Sequence, residues 1–229
     1  MTIVNIALPK YEVVLPISGR KITFRPFTSK EEKVLLIARE SENTEEIMCA
    51  VDNLMMACSF GECSSTNVCK VDAEYLFLQL RNKSIGEVVV VNGICKECAG
   101  KTLLNLNLEL VEVKNKQNVK EFKLADDLWI TLKIPSMKDA LLITENTDDE
   151  LPIAISLDTV VYGENSFNAN EYTLEEKKEL VGSLTKHQLT QLNSFFTTFP
   201  VLELNVKYNC GQCNAENTVH IEGLENFFI

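Results

Sequence analysis

The chain has 229 residues, a hydrophobic fraction of 45% and a formal net charge of −11. Its length is enough for a sizeable core, organised as one elaborated domain or two small ones. No apolar run approaches the roughly 20 residues of a membrane span, and the first residues lack a signal-peptide pattern, so we expect a cytosolic protein. The acidic charge disfavours nucleic-acid binding, which needs a basic surface.

The first segment, residues 1–27, predicts a β-hairpin. Two strand-like runs at 11–15 and 21–24 are joined by Ser18, Gly19 and Arg20, which are suited to a tight turn. We expect this hairpin to join a larger β platform formed by later strands.

The second segment, residues 28–85, predicts a unit of three helices. Ser29 and Glu32 match a capping box at the start of the first helix. Thr44 is expected to cap the second helix, and Asp72 to open the third. We expect the core of this unit to contain five large apolar side chains: Leu35, Leu54, Leu76, Phe77 and Leu80.

Residues 86–135 predict a β segment that carries the first of two Cys-x-x-Cys turns, at Cys95 and Cys98. A run of valines at 88–91 precedes this turn, and alternating apolar residues follow it. A strand, a turn and a further strand are expected over 122–134.

Residues 136–199 predict a helical insertion. Ser136 follows Pro135 and can cap a helix over 137–144, and another helix is expected over 151–161. Two further helices are expected to begin at capping boxes, formed by Thr173 with Glu176 and by Thr185 with Gln188.

The last segment, residues 200–229, repeats the plan of strand, cysteine turn and strand around Cys210 and Cys213. The chain ends in the apolar sequence Phe227-Phe228-Ile229. An exposed end of this kind is unfavourable, so it is expected to pack on its own core or to insert into a partner.

The two cysteine turns predict one shared metal site. A tight turn with two intervening residues can direct two sulfurs at one ion, and tetrahedral zinc takes four. We therefore expect a structural zinc bound by Cys95, Cys98, Cys210 and Cys213. Two unmetallated turns remain an alternative, as does a disulfide or redox role, although a thioredoxin-like pair would open a helix rather than a strand.

The resulting fold class is α+β, with a zinc-stapled antiparallel β platform, a split zinc ribbon, that carries two helical insertions. Because residues 99–209 separate the two cysteine pairs, this stretch must contain folded structure of its own. The platform would then join strands that lie far apart in the sequence.

The other candidate residues favour structural roles. The remaining cysteines lack the Cys-x-x-Cys spacing and are expected to be buried free thiols rather than a second metal site. No catalytic constellation accompanies His187 or His220, so the protein is not expected to be an enzyme. The cysteines outside the two Cys-x-x-Cys turns are Cys49, Cys58, Cys63 and Cys69.

Several stretches resemble the baseplate hub assembly proteins of T-even-like contractile-tailed bacteriophages. The resemblance covers most of the chain and is weakest over about 136–199. It is carried by both cysteine pairs and by four further stretches: Arg25-Pro26-Phe27, residues 30–38, residues 72–87 and residues 223–228.

This resemblance implies a non-enzymatic late protein that helps to assemble the hub, as a chaperone, a hub subunit or both. The implied partners are other hub proteins and the tape-measure protein. The implied location is the host cytoplasm during assembly, and the baseplate hub of the virion if the protein stays in the particle. The alternative is a zinc-ribbon module of a nucleic-acid-processing complex, whereas a metal-dependent hydrolase would need an open ligand position.

Overall fold

A computed structural model describes residues 7–41, 43–144 and 150–222. The helices of these residues are α1 (Ser29–Glu40), α2 (Thr44–Cys58), α3 (Lys70–Ser84), α4 (Met137–Thr144), α5 (Leu151–Ser156), α6 (Leu174–Gly182) and α7 (Lys186–Asn193). The strands are β1 (Tyr11–Val14), β2 (Lys21–Phe24), β3 (Val88–Ile94), β4 (Lys101–Asn107), β5 (Glu112–Lys114), β6 (Val119–Lys123), β7 (Leu128–Lys133), β8 (Leu157–Tyr162), β9 (Asn165–Asn168), β10 (Val201–Asn209) and β11 (Glu216–Glu222). The apolar terminus Phe227-Phe228-Ile229 lies outside the described residues.

The strands form four antiparallel sheets, in the orders β1-β2, β3-β4, β11-β10-β5 and β6-β7-β8-β9. The predicted mixed α+β class with antiparallel strands is confirmed. The chain divides into two compact units. Unit 1 comprises Met1–Ser64, Val71–Lys114 and Val201–Ile229, and unit 2 comprises Ser65–Lys70 and Asn115–Pro200. No helix in the described part of the chain is long and apolar enough to span a membrane.

Helix α3 is the buried centre of unit 1, with apolar and polar side chains enclosed on nearly every side. The buried carboxylate of Asp72 accepts hydrogen bonds from the backbone N–H groups of Ile17 and Ser18, at 2.9 and 3.0 Å. At the other end of the helix, the hydroxyl of Ser84 accepts a bond of 2.9 Å from the N–H of Phe27. The polar groups of α3 therefore fix both the β1–β2 turn and the segment that leads to α1.

Helix α1 begins one residue earlier than the sequence suggested. Thr28, not Ser29, is the N-cap, and it forms the capping box with Glu31. Both Thr28 and Ser29 have a glutamate three residues later, so the local pattern fits either position. Arg25 decides between them, because its two terminal nitrogens reach both carboxylate oxygens of Glu31 at 2.7 and 3.0 Å. This bidentate bond, with Thr28, lowers the pKa of Glu31 to about 2.

Helix α2 is also capped one residue before the predicted position. The side chain of Asn43 accepts hydrogen bonds from the N–H groups of Glu45 and Glu46, at 2.9 and 3.2 Å. Asparagine is as good an N-cap as threonine or better, and Thr44 therefore occupies the first helical position.

Unit 2 contains a strand, β8, where the sequence predicted the second half of a helix. The helix expected over 151–161 ends at Ser156, and β8 follows directly and pairs with β7 and with β9. Thr159, Val160 and Val161 are β-branched and suit a strand. Gly163, at φ +60°, supplies the positive φ that the two-residue turn to β9 requires.

The core of unit 2 joins its sheet to its helices. The predicted caps of this unit are confirmed, since Thr173 and Thr185 both form complete capping boxes, and Ser136 accepts from the N–H of Asp139 at 3.1 Å. The buried core residues come from β7, β8, α5, α6 and the region of α7, and include Ile130, Leu132, Ile153, Leu157, Val160, Val181, Leu192 and Phe195.

The burial of α3 gives a test of the unit 1 core. Phe77 is 1% exposed, so we expect Phe77→Ala to lower the free energy of unfolding by about 3 to 5 kcal/mol, through lost burial and the cavity that it leaves. Urea unfolding followed by circular dichroism measures this difference. The matched control is Leu36→Ala, at a side chain that is 43% exposed, where we expect a change of at most about 0.5 kcal/mol. Equal stability of the Phe77 variant and the wild type would contradict the assigned core.

Candidate metal centre

The two cysteine turns sit on two hairpins of unit 1 with the same construction. In one hairpin Ile94 pairs with Lys101, and in the other Asn209 pairs with Glu216, so each turn spans the same number of residues. The N–H of the first cysteine donates to the carbonyl oxygen of the residue just before the return strand, at 2.9 Å in both turns. The β3–β4 and β10–β11 hairpins are therefore structural copies of each other.

A left-handed residue closes each turn. Ala99 has φ +56° and Asn214 has φ +59°, and both follow the second cysteine of their turn. Their N–H groups donate back to the carbonyl oxygens of Cys95 and Cys210, at 3.0 and 2.9 Å. Asparagine tolerates this conformation well, whereas alanine does so at a cost, which indicates that the turn geometry is imposed by its surroundings.

Two hydrogen bonds connect the hairpins at equivalent positions. The N–H of Lys96 donates to Oδ1 of Asn217, and the N–H of Gly211 donates to the hydroxyl of Thr102, each at 3.0 Å. Asn217 and Thr102 occupy the same place in their return strands, just after the first paired residue. The reciprocal bonds give the two hairpins an approximate two-fold relation about the cysteine cluster.

The four sulfurs lie together as the sequence spacing suggested. All four Sγ atoms are within 4.8 Å of one another. The Cys95–Cys213 and Cys98–Cys210 sulfur pairs are 3.6 and 3.7 Å apart. A tetrahedral ion with sulfur ligands at about 2.3 Å would place its sulfurs about 3.8 Å apart, whereas a disulfide needs about 2.05 Å. The four side chains can therefore hold one metal ion.

Backbone hydrogen bonds stabilise the thiolate form of two of the four cysteines. The N–H groups of Cys213 and Gln212 direct hydrogen bonds to Cys210 and lower its pKa to about 6. The N–H groups of Cys98 and Glu97 likewise lower the pKa of Cys95. Hydrogen bonds to the charged form favour that form, and these turns supply them without any basic side chain.

The other two sulfurs resist ionisation because thiols are crowded around them. The N–H of Ala215 lowers the pKa of Cys213, but its sulfur contacts with Cys98 and Cys95 outweigh that bond and raise the pKa to about 12. The pKa of Cys98 is also raised, despite the N–H of Gly100. Four neighbouring thiolates need a cation between them, and a bound dication deprotonates a coordinating thiol.

Close packing keeps the hairpins together behind the cysteines. A Cβ at Gly93 would lie 2.7 Å from Cζ of Tyr208 and 2.8 Å from Cδ1 of Leu104. The absence of a side chain at Gly93 therefore lets the Tyr208 ring lie over β3. Strand alternation in the sequence gave no signal for this close approach.

The other predicted candidates do not form a second centre. Cys58, Cys63 and Cys69 are buried, as expected, but Cys49 is exposed, because it lies on the open side of α2. His187 is exposed, and His220 is half exposed beside Asn205. Within the described ranges, the four knuckle cysteines are the sole cluster of three or more residues that could hold a metal ion.

Sequence reasoning missed the residues that support the cluster. Asn217 is buried, and its Nδ2 donates to Sγ of Cys95 at 3.3 Å and to the carbonyl of Ala215 at 2.9 Å. The available signal was a polar residue at an inward position of a strand whose other inward residues, Val219 and Ile221, are apolar. Hydrogen bonds of this kind orient metal ligands and tune them.

The fold and the cysteine cluster define a mixed α+β protein with a candidate four-sulfur metal centre between two antiparallel hairpins. A family model described as T4 bacteriophage base plate protein matches residues 8–229. Since this match covers nearly the whole chain, the protein belongs to that family of T4-like phage baseplate proteins. No match was found among curated proteins or among solved structures.

The role of Asn217 can be tested directly. We expect Asn217→Ala to lower the free energy of unfolding by about 1 to 3 kcal/mol, because the N–H of Lys96 loses its acceptor and the sulfur of Cys95 loses a donor. Chemical denaturation measures the change. Asn205→Ala, at an exposed site on the same hairpin, is the control and should change stability by no more than about 0.5 kcal/mol. Equal losses from the two variants would argue against a special role for Asn217.

Proposed function

We propose that this protein is a non-enzymatic component of the baseplate hub that assists hub assembly through protein–protein contacts. The observation that carries the proposal is the family match over residues 8–229. The acidic net charge of −11 supports contacts with proteins rather than nucleic acid. The closed arrangement of four cysteines also supports a structural role, since catalytic metal sites keep a ligand position open.

We further propose that the metal is zinc and that it fastens the two hairpins of unit 1. A tetrahedral set of four thiolates suits zinc or iron, and zinc is the usual ion at such a site when its role is structural. Cys95 and Cys98 would hold one side of the ion, and Cys210 and Cys213 the other. The bound metal would replace repulsion among four thiolates by attraction.

Metal content and stability test this site together. We expect the wild-type protein to bind one equivalent of zinc, and Cys98→Ser to lose metal and to melt at a lower temperature, because three thiolates form an incomplete shell. Elemental analysis and thermal melts measure the two effects. Cys49→Ser is the matched control, because Cys49 is an exposed cysteine outside the cluster. A wild-type protein that keeps its melting temperature after complete chelation would show that no metal stabilises the two hairpins.

The proposed partners are other hub proteins and the tape-measure protein, met in the host cytoplasm during assembly. Membership of the baseplate family supports other phage structural proteins as partners and a place in the virion. Within that setting, the protein would act as an assembly chaperone, a hub subunit or both. Quantitative mass spectrometry of purified tails distinguishes a retained subunit from a released chaperone.

Recovery of complexes from infected cells tests the proposed role. We expect tagged wild-type protein to co-purify with identified hub proteins, and phage lacking the gene to yield tails without a complete hub. An unrelated acidic protein with the same tag, expressed in the same infection, controls for capture through charge. Normal hubs in the absence of the gene would show that the protein is not needed for their assembly.

A further inference from the structure

The two cysteine hairpins have the same backbone plan but differ on their outer faces. Residues opposite each other in an antiparallel pair point to the same side. The inner sides of both hairpins are mainly apolar and include the buried residues Val89, Leu106, Leu204 and Ile221. The outer sides can therefore be compared position by position.

The outer face of the β3–β4 hairpin carries four exposed apolar side chains among eight positions. Val88, Val90, Ile94 and Leu103 are 56, 53, 64 and 70% exposed. We define the β3–β4 outer face by the eight positions that share this side: Val88, Val90, Asn92, Ile94, Lys101, Leu103, Asn105 and Asn107.

The equivalent face of the β10–β11 hairpin is entirely polar. Its eight residues are Glu203, Asn205, Lys207, Asn209, Glu216, Thr218, His220 and Glu222. The same hairpin therefore forms around the cysteines without any apolar residue on its outer side. The apolar residues of the β3–β4 outer face are thus not required by the hairpin or by the candidate metal centre.

Apolar exposure of this kind is typical of a binding surface. Four large side chains, each more than half exposed and adjacent on one sheet, form a patch on the order of several hundred Å², the size at which exposed patches are often functional. Strands β3 and β4 pair only with each other within the described ranges, so both edges of this sheet also lack a partner strand there. A covering protein would remove the patch from water.

The one charged residue of this face indicates which kind of partner it can bind. Lys101 is the single ionisable residue among its eight positions and has no ion-pair partner within the described part of the chain. A second copy bound face to face would present the same residues and no carboxylate to Lys101. Two copies would also each carry a net charge of −11. Self-association through this face is therefore disfavoured.

We infer that the β3–β4 outer face is the surface by which this protein docks on a different protein, one that presents apolar side chains together with a carboxylate opposite Lys101. This inference rests on the proposed function and assigns a place on unit 1 to the contact. The apolar side chains provide the buried centre of the contact, and Lys101 fixes its orientation at the edge near the cysteine turn.

Variants at equivalent positions of the two hairpins test the inference. Leu103→Asp places a carboxylate in the apolar face, and Thr218→Asp places the same group at the matching position of the polar face. In tagged purifications from infected cells, we expect Leu103→Asp to reduce the recovered hub protein by about tenfold or more. Thr218→Asp should recover it as the wild type does. Metal content and melting temperature verify that both variants are folded.

A photo-crosslinking residue at position 103 identifies the occupant of the face. We expect a cross-link to the same hub protein that co-purifies with the wild type, and none from position 218. Lys101→Glu should weaken recovery of that protein, whereas Lys207→Glu, on the polar face, should not. A cross-linked homodimer would overturn the assignment of a different partner.

Failure of this inference can be told apart from failure of the proposed function. If the wild type and Leu103→Asp recover the same hub protein equally well, the contact lies elsewhere and the function stands. If the wild type recovers no phage structural protein, the proposed function is wrong, and this docking surface is wrong with it.

Discussion

The meeting of two cysteine turns from distant parts of the chain is the constraint on which unit 1 depends. The turns belong to separate sheets, and residues 99–209 lie between them. The entropic cost of bringing the ends of such a loop together is about 4 kcal/mol in a logarithmic chain-entropy estimate. A structural zinc site gives on the order of 10 kcal/mol in small peptides. Metal binding would therefore exceed the closure cost, provided that the intervening chain folds by itself.

The remainder of unit 1 is organised by polar groups placed inside its core. Asp72 and Ser84 are on a helix that is buried nearly all round, and each satisfies backbone N–H groups of a segment far away in the sequence. A buried carboxylate is favourable only where such donors meet it. These bonds give α3 a defined rotation and position against the β1–β2 turn, which apolar packing alone specifies less well.

The sequence predicted those features that depend on short spacing. The cysteine turns, the alternating strands around them and the capping boxes at Thr173 and Thr185 require only neighbouring residues to be recognised. It failed where a tertiary contact chooses between local options. Arg25 selects Thr28 over Ser29 as the cap of α1, and residues 157–161, which were expected to be helical, form a strand because they pair with β7. Asn217 belongs to the same class, because its partners lie on the other hairpin.

The order of these segments along the chain also sets an order in time during translation. Every residue of unit 2 is synthesised before β10 begins, whereas the β3–β4 hairpin emerges with only two of the four cysteines. An isolated two-stranded hairpin is marginally stable in water. The nascent chain therefore carries a half-built cysteine site, with its apolar strands uncovered, until the second hairpin leaves the ribosome. Unit 2 can finish folding during that interval, and closure of the site then becomes a late step in the maturation of the polypeptide.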